Sequence, residues 1–140
     1  MNHIILEKFK NYFTELNLDD SSALDDIYSD DVLFIDPIHK ISGIGNLKSY
    51  FGKLNKNLIE GSFLFSEETI SNDRAYLSWE LNLKLKRPGK RVTASGISVL
   101  TIKDKVVEHR DYFDAGELFY ENIPVLGGLI RLLKNQIAKQ

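Results

Sequence analysis

Two short stretches carry the residues with usable chemistry. In "VLFIDPIHK" an apolar run, Val32 to Ile35, ends on a carboxylate, Asp36, which is locked to Pro37 and followed by His39. In "VVEHRDYF" His109 and Asp111 stand two residues apart, with Phe113 beyond them. Strand side chains alternate, so His109, Asp111 and Phe113 share one face. Carboxylates and imidazoles are the groups that carry protons near neutral pH. A carboxylate taken out of water holds its proton more tightly and becomes a usable base there. Two of them in one pocket would titrate as a coupled pair, one kept protonated.

Each of these residues also has a structural reading. Asp36 either closes an Asx-type turn before Pro37 or faces a pocket. Asp111 is either half of an internal pair with His109 or a second acid or base, since a carboxylate on an apolar face is expensive unless paired. His109 either satisfies a structural bond or relays a proton. His39 reads as a surface or rim residue with a possible place in the site. His39 and His109-x-Asp111 are also the ligand types of a two-histidine, one-carboxylate iron site. That match is only two residues in sequence, and no metal is expected.

The elements that must position these groups follow from bulk and periodicity. At 140 residues, 43% hydrophobic and 27% charged, the chain fits one domain, 1–140, with one core. It contains no cysteine, which excludes thiolate chemistry and disulfides and fits a reducing, cytoplasmic setting. The amino-terminal "MNHIILEKFKNYF" carries charges where a signal peptide would be apolar, and reads as mature structure. A formal net charge of −2 gives no general pull towards nucleic acid. The basic "KLKRPGKR" segment reads as a solvated hairpin tip, with contact to an anionic partner as the alternative.

Helical spacing puts Ile5, Phe9, Tyr12, Phe13 and Leu16 on one face. A short second helix runs through Leu24, Ile27 and Tyr28. A third carries Leu47, Tyr50, Phe51, Leu54 and Leu58, with Gly43 and Gly45 at its start and Gly61 just past its end. The period then changes to two. In "RAYLSWELNLKLK", Leu77, Trp79, Leu81, Leu83 and Leu85 face one way. Short turns at "RPGK" and "KDK" join the following strands into an antiparallel meander. Helices first and a long antiparallel sheet after is an α+β plan. A twisted sheet wrapped around a few helices leaves a cone with an open end.

The order "ALDDIYSDDVLFIDPIHKISGIGNLKSYF", then "TASGISVLTIKDKVVEHRDYFD", resembles the nuclear transport factor 2-like superfamily, and within it the SnoaL-like polyketide cyclase and ketosteroid isomerase branch. The resemblance runs from about Phe9 to Asp114. It implies a cone-shaped curved antiparallel sheet around amino-terminal helices, a deep apolar pocket and, in many relatives, a dimer. In the steroid isomerases a carboxylate at the "DP" position is the general base, which falls on Asp36. The tyrosine that donates to the developing oxyanion falls on Tyr12 by ungapped spacing; the bland reading of Tyr12 is a core residue. The second donor, a protonated aspartic acid, falls on Ser98, a departure. Ser98 reads either as a pocket hydroxyl or, with Gly96, as room for close packing. The pattern also turns His109 and Asp111 inward, towards Asp36.

The expectation is a cofactor-independent enzyme of isomerase or cyclase type acting on a hydrophobic carbonyl-bearing or polycyclic molecule. Asp36, Asp111, His109 and Tyr12 would be catalytic, and Trp79, Ser98, His39, Phe113 and Phe51 would contact substrate. The alternatives are a non-catalytic binder of an apolar small molecule and a dimeric interaction module. A homodimer through the solvated sheet face is expected, because Thr93, Ser95, Ile97, Val99 and Thr101 mix apolar with small polar side chains. The tail "IPVLGGLIRLLKNQIAKQ" presents a stripe of Leu126, Leu129, Ile130, Leu133 and Ile137. It is expected to form a carboxy-terminal helix packed on its own protein rather than on a membrane surface.

Overall fold

A computed structural model describes residues 2–16, 18, 20–87, 89–114, 132–133 and 135–138. Helix α1 (Asn2–Glu15) and the short α2 (Ser22–Ile27) come first, then β1 (Tyr28–Ile35), β2 (Lys40–Ser42) and α3 (Ile44–Asn57). Four strands follow: β3 (Leu58–Ser71), β4 (Arg74–Leu85), β5 (Arg91–Ile102) and β6 (Val106–Phe113). They form one six-stranded sheet in the order β2-β1-β6-β5-β4-β3.

The meander from β3 to β6 is antiparallel throughout, and its turns fall where the sequence signals them. One pairing differs from the antiparallel expectation: β1 runs parallel to β6, with Phe34 opposite His109 and Ile35 opposite Arg110. The reason is connectivity. Between β1 and β6 the chain runs through α3 and four strands, so no tight turn joins the two and nothing forces them antiparallel. The strand also begins earlier than the apolar run suggests. Tyr28 opens β1 rather than closing α2.

Amphipathic patterning builds the core. Ile5, Leu6, Phe9, Tyr12 and Phe13 are the buried face of α1. They lie against the inward residues of β4 (Ala75, Leu77, Trp79, Leu81, Leu83) and of β5 (Val92, Ala94, Leu100, Ile102). α1 ends where Leu16 takes a positive φ of 48°. β3 is irregular between Phe65 and Glu68, where bulged pairing bends the strand. Its Phe63 and Phe65 rings still turn inward, Phe63 onto Trp79 at 5.0 Å between ring centres and Phe65 onto Phe9 at 6.2 Å.

Two glycines have roles set by backbone geometry. Gly43 precedes α3 with φ of 88°, a conformation that side chains resist. Gly96 lies beneath Trp79: a Cβ there would stand 2.5 Å from the indole and 2.6 Å from the Tyr112 carbonyl oxygen. Gly61 is not the helix stop that the sequence suggests. It sits within β3, where a Cβ would meet Leu83 and Leu16 at 2.7 and 2.8 Å.

Of the expected tail stripe, Leu126, Leu129 and Ile130 lie outside the described residues. Residues 132–133 and 135–138 are helical, but Leu133 and Ile137 are exposed at 51% and 70%, so they do not pack on the domain as expected. No helix among the described residues is long and apolar enough to cross a membrane. The side chains of Lys84, Lys86, Arg87, Lys90 and Arg91 surround the β4–β5 turn in solvent, and Arg91 pairs with Glu60.

Candidate functional site

A cavity of about 390 Å³ opens between α3 and the concave face of the sheet. Inward positions of β4 line it in sequence: Trp79, Leu81, Leu83 and Leu85. Six residues of strand span about 20 Å. The cavity is therefore elongated and apolar along most of its length, with Phe13, Phe51 and Phe63 completing the walls. Apart from Lys53 and Asn57 on α3, its polar groups gather where β1 and β6 end: Asp36, His39, Tyr50, His109 and Asp111, with Phe113 beside them.

The parallel register explains the gathering. Phe34 opposite His109 and Ile35 opposite Arg110 lead, one residue on, to Asp36 beside Asp111. Both carboxylates thus come to one end of the cavity, where each acts on the Tyr50 phenol.

Asp111 ends a hydrogen-bonded chain. The Tyr28 hydroxyl lies 2.7 Å from His109 Nδ1, and His109 Nε2 lies 2.7 Å from Asp111 Oδ1. Ser98 Oγ donates to the same oxygen at 2.5 Å and accepts from Trp79 Nε1 at 2.9 Å. Proton positions follow from the donor count. Among the described residues the buried Tyr28 hydroxyl bonds only to His109; the Asp111 carboxylate can only accept, so the hydroxyl donates to Nδ1 and His109 carries its hydrogen on Nε2. That hydrogen goes to Asp111. Oδ1 thus takes two hydrogen bonds, and among the described residues Oδ2 takes none. Burial raises the Tyr28 phenol well above its usual range, with the charge of Asp111 adding to the effect, so Tyr28 stays a donor.

Asp36 is bound differently. Its side chain is 4% exposed. Oδ1 accepts the backbone amides of Ile38 at 2.8 Å and His39 at 2.6 Å, which is the Asx turn that the sequence allows. Both oxygens also face His39 Nδ1, at 3.1 and 3.2 Å. Turn residue and cavity residue are therefore the same residue. His39 is 36% exposed at the mouth, its ring 4.8 Å from that of Tyr50.

Three expected roles meet obstacles. Tyr12 is on the buried face of α1 but does not line this cavity; it borders a separate surface depression with Lys8 and Asp20. Its hydroxyl is buried without a hydrogen-bond partner among the described residues, and burial, with the charge of Asp20, pushes it up to about 12. Ungapped spacing from the "DP" motif cannot report which way a helix is rotated. Ser98 is buried with its oxygen already bonded to Trp79 and Asp111, and so does not reach the cavity as a free donor. His109, its side chain 3% exposed, has both nitrogens engaged, with Tyr28 and with Asp111, so neither is open to a ligand.

Tyr50 and Tyr28 are the residues that sequence reasoning missed. Tyr50 reads as one more position in the α3 stripe, yet it lines the cavity. Burial raises its phenol beyond the ordinary tyrosine range, and the charges of Asp36 and Asp111 raise it further. Phe51, next to it, takes the buried core position. Adjacent aromatic residues flanking a helix's buried stripe are the one signal that marks Tyr50 as a border residue.

Comparison with known proteins bears on the fold. Residues 9–109 match the family model described as the SnoaL-like domain. No curated protein matches the chain. Among solved structures, an LEH-like epoxide hydrolase of M. tuberculosis is similar at a TM-score of 0.69 and 17% identity, covering 97% of this chain and 94% of that one. An NTF2-like protein of unknown function from Exiguobacterium sp. 255-15 is similar at 0.67 and 19%, covering 79% and 98%. A protein with a ketosteroid isomerase-like fold from Catenulispora acidiphila, solved with trimethylamine, is similar at 0.71 and 11%, covering 81% and 88%. At these identities the likeness shows the fold alone.

Proposed function

As the chain belongs to the SnoaL-like domain family, we propose that it is a cofactor-independent enzyme that moves a proton on a hydrophobic carbonyl-bearing or polycyclic molecule, as an isomerase or cyclase does. One observation carries the reading. At the polar end of an apolar cavity that it lines, Asp111 has one oxygen fixed by two donors and the other without a donor among the described residues. Asp111 is the proton acceptor. The C–H bond next to the carbonyl breaks, its proton passes to Oδ2, and the electron pair moves onto the carbonyl oxygen. Tyr50, kept protonated by its surroundings, donates a hydrogen bond to that oxygen as charge develops. Returning a proton at another atom completes an isomerisation; attack of the enolate carbon on a second carbonyl completes a ring closure. Trp79, Phe51 and Phe113 supply apolar walls that hold the ligand against the two groups.

The test is proton exchange. In deuterium oxide the protein should place deuterium next to the carbonyl of apolar enolisable ketones, α-tetralone first, faster than buffer alone does. Ketones that bind in the cavity yet exchange no faster than in buffer would count against the reading.

We propose further that the enzyme acts in the cytoplasm as a homodimer, joined through the outer sheet face. Ile97 and Tyr112 are paired across β5 and β6 there, 46% and 54% exposed, with Tyr76 nearby on β4. An aspartate at Ile97 would put a charge in the middle of that apolar contact. Light scattering at micromolar concentration should show a dimer for the native chain and a monomer for Ile97→Asp; a monomer in both cases rejects the dimer.

A further inference from the structure

Two Asp–His pairs face the same cavity, and they are wired in opposite senses. In one, His109 is locked on both nitrogens, and Asp111 keeps one oxygen without a donor among the described residues. In the other, Asp36 is locked. Its Oδ1 holds two backbone amides, both its oxygens face Nδ1 of His39, and little of it meets solvent. A carboxylate with acceptors on both oxygens requires the hydrogen of His39 on Nδ1. Nε2 is then the unshared lone pair. It has no hydrogen-bond partner among the described residues, and the ring stands partly in solvent at the cavity mouth beside Tyr50.

The geometry assigns to His39 the role of second proton carrier and to Asp36 that of the positioning residue that holds it, rather than the role of base; this rests on the proton-transfer reading above. After Asp111 has taken a proton from the ligand, the enolate needs one delivered elsewhere. His39 Nε2 takes a proton from water at the mouth, giving an imidazolium whose Nδ1–H faces the Asp36 carboxylate. That Nε2–H bond then breaks as a C–H or O–H bond forms on the ligand, and the ring returns to neutral. Asp111 releases its own proton to water. One proton is removed, one is delivered, and solvent balances both. A carboxylate sunk in its own turn is poorly placed to approach a ligand carbon, whereas a half-exposed imidazole above a tyrosine ring can do so without moving the backbone.

Two measurements test the assignment. Nitrogen-detected NMR of the ligand-free protein, at a pH where His39 is neutral, should find the hydrogen on Nδ1. In Asp36→Asn the amide oxygen is retained by the two backbone N–H groups, so the NH₂ meets the ring and the hydrogen should move to Nε2. A wild-type ring already protonated on Nε2 overturns the proposal. In an assay that reads delivery to a different atom, the isomerisation of 3-cyclohexen-1-one to 2-cyclohexen-1-one, His39→Ala should lose at least ~10-fold in rate, and added imidazole should restore part of it. An unchanged rate in His39→Ala, or a loss that imidazole does not relieve, also overturns it. If no ketone exchanges even with the native chain, the proton-transfer reading fails, while the tautomer measurement still decides how Asp36 and His39 are wired.

Discussion

Asp111→Asn should slow ketone exchange at least ~100-fold, the usual scale of losing a general base, while leaving the protein folded. The substitution keeps the shape of the side chain. The amide oxygen still accepts from Ser98 and from His109 Nε2, which are the two bonds that Asp111 Oδ1 now takes. The NH₂ replaces Oδ2, the atom without a donor among the described residues. No buried donor or acceptor is orphaned, so the unfolding free energy from urea titration should change by less than about 1 kcal/mol. Activity and stability are thereby separated in a single variant. An exchange rate close to that of the native chain would remove Asp111 from the mechanism.

His109→Ala should show the opposite balance, with a loss of about 3–5 kcal/mol in stability. Its ring is enclosed by Phe34 at 4.9 Å, Phe9 at 5.2 Å and Phe13 at 6.1 Å, and stacks with Tyr28 at 5.9 Å. Truncation leaves an aromatic-sized void, which in other cores costs about 3–5 kcal/mol. It also removes the partner that the Tyr28 hydroxyl has among the described residues, for about 1–3 kcal/mol before relaxation. Domains have only about 5–15 kcal/mol to lose. Tyr28→Phe removes the hydroxyl and leaves one ring nitrogen bare, so its loss should be nearer 1–3 kcal/mol. Combining Tyr28→Phe with His109→Leu removes both polar partners and should recover part of the single-variant loss. Urea titrations of the four proteins check the set. A His109→Ala protein within 1 kcal/mol of the native chain would mean that the buried network contributes little.

The contrast between these two residues marks what was legible in the sequence. Periodicity is local, and it located the inward face of β4 and the α1 face without error: Leu77, Trp79, Leu81 and Leu83 are all buried, as are Ile5, Phe9 and Phe13. Alternation also put His109 and Asp111 on one face. It could not say that His109 would be consumed by Tyr28, because that partner lies 81 residues away and was assigned to the end of a helix. Tyr50 escaped notice for a related reason: a tyrosine at a helix border has the same spacing whether its hydroxyl meets water or two carboxylates. Tyr12 was misplaced by carrying a fixed gap across α2 and its flanking turns, where a single residue of slack rotates the helix by 100°. Both readings of Asp36 were written in "DPIH", and the structure satisfies both at once.

The parallel contact between β1 and β6 also bears on when the site comes into being. The β3–β4–β5–β6 meander is made of neighbours in sequence, each hairpin closing a short loop. β1 can find its partner only after residues 106–113 exist, across a loop closure of about eighty residues whose entropy nothing local repays. A chain emerging from the ribosome therefore holds Asp36 and His39 long before it can hold Asp111 beside them. The cavity's polar end can be completed only once all six strands have been made.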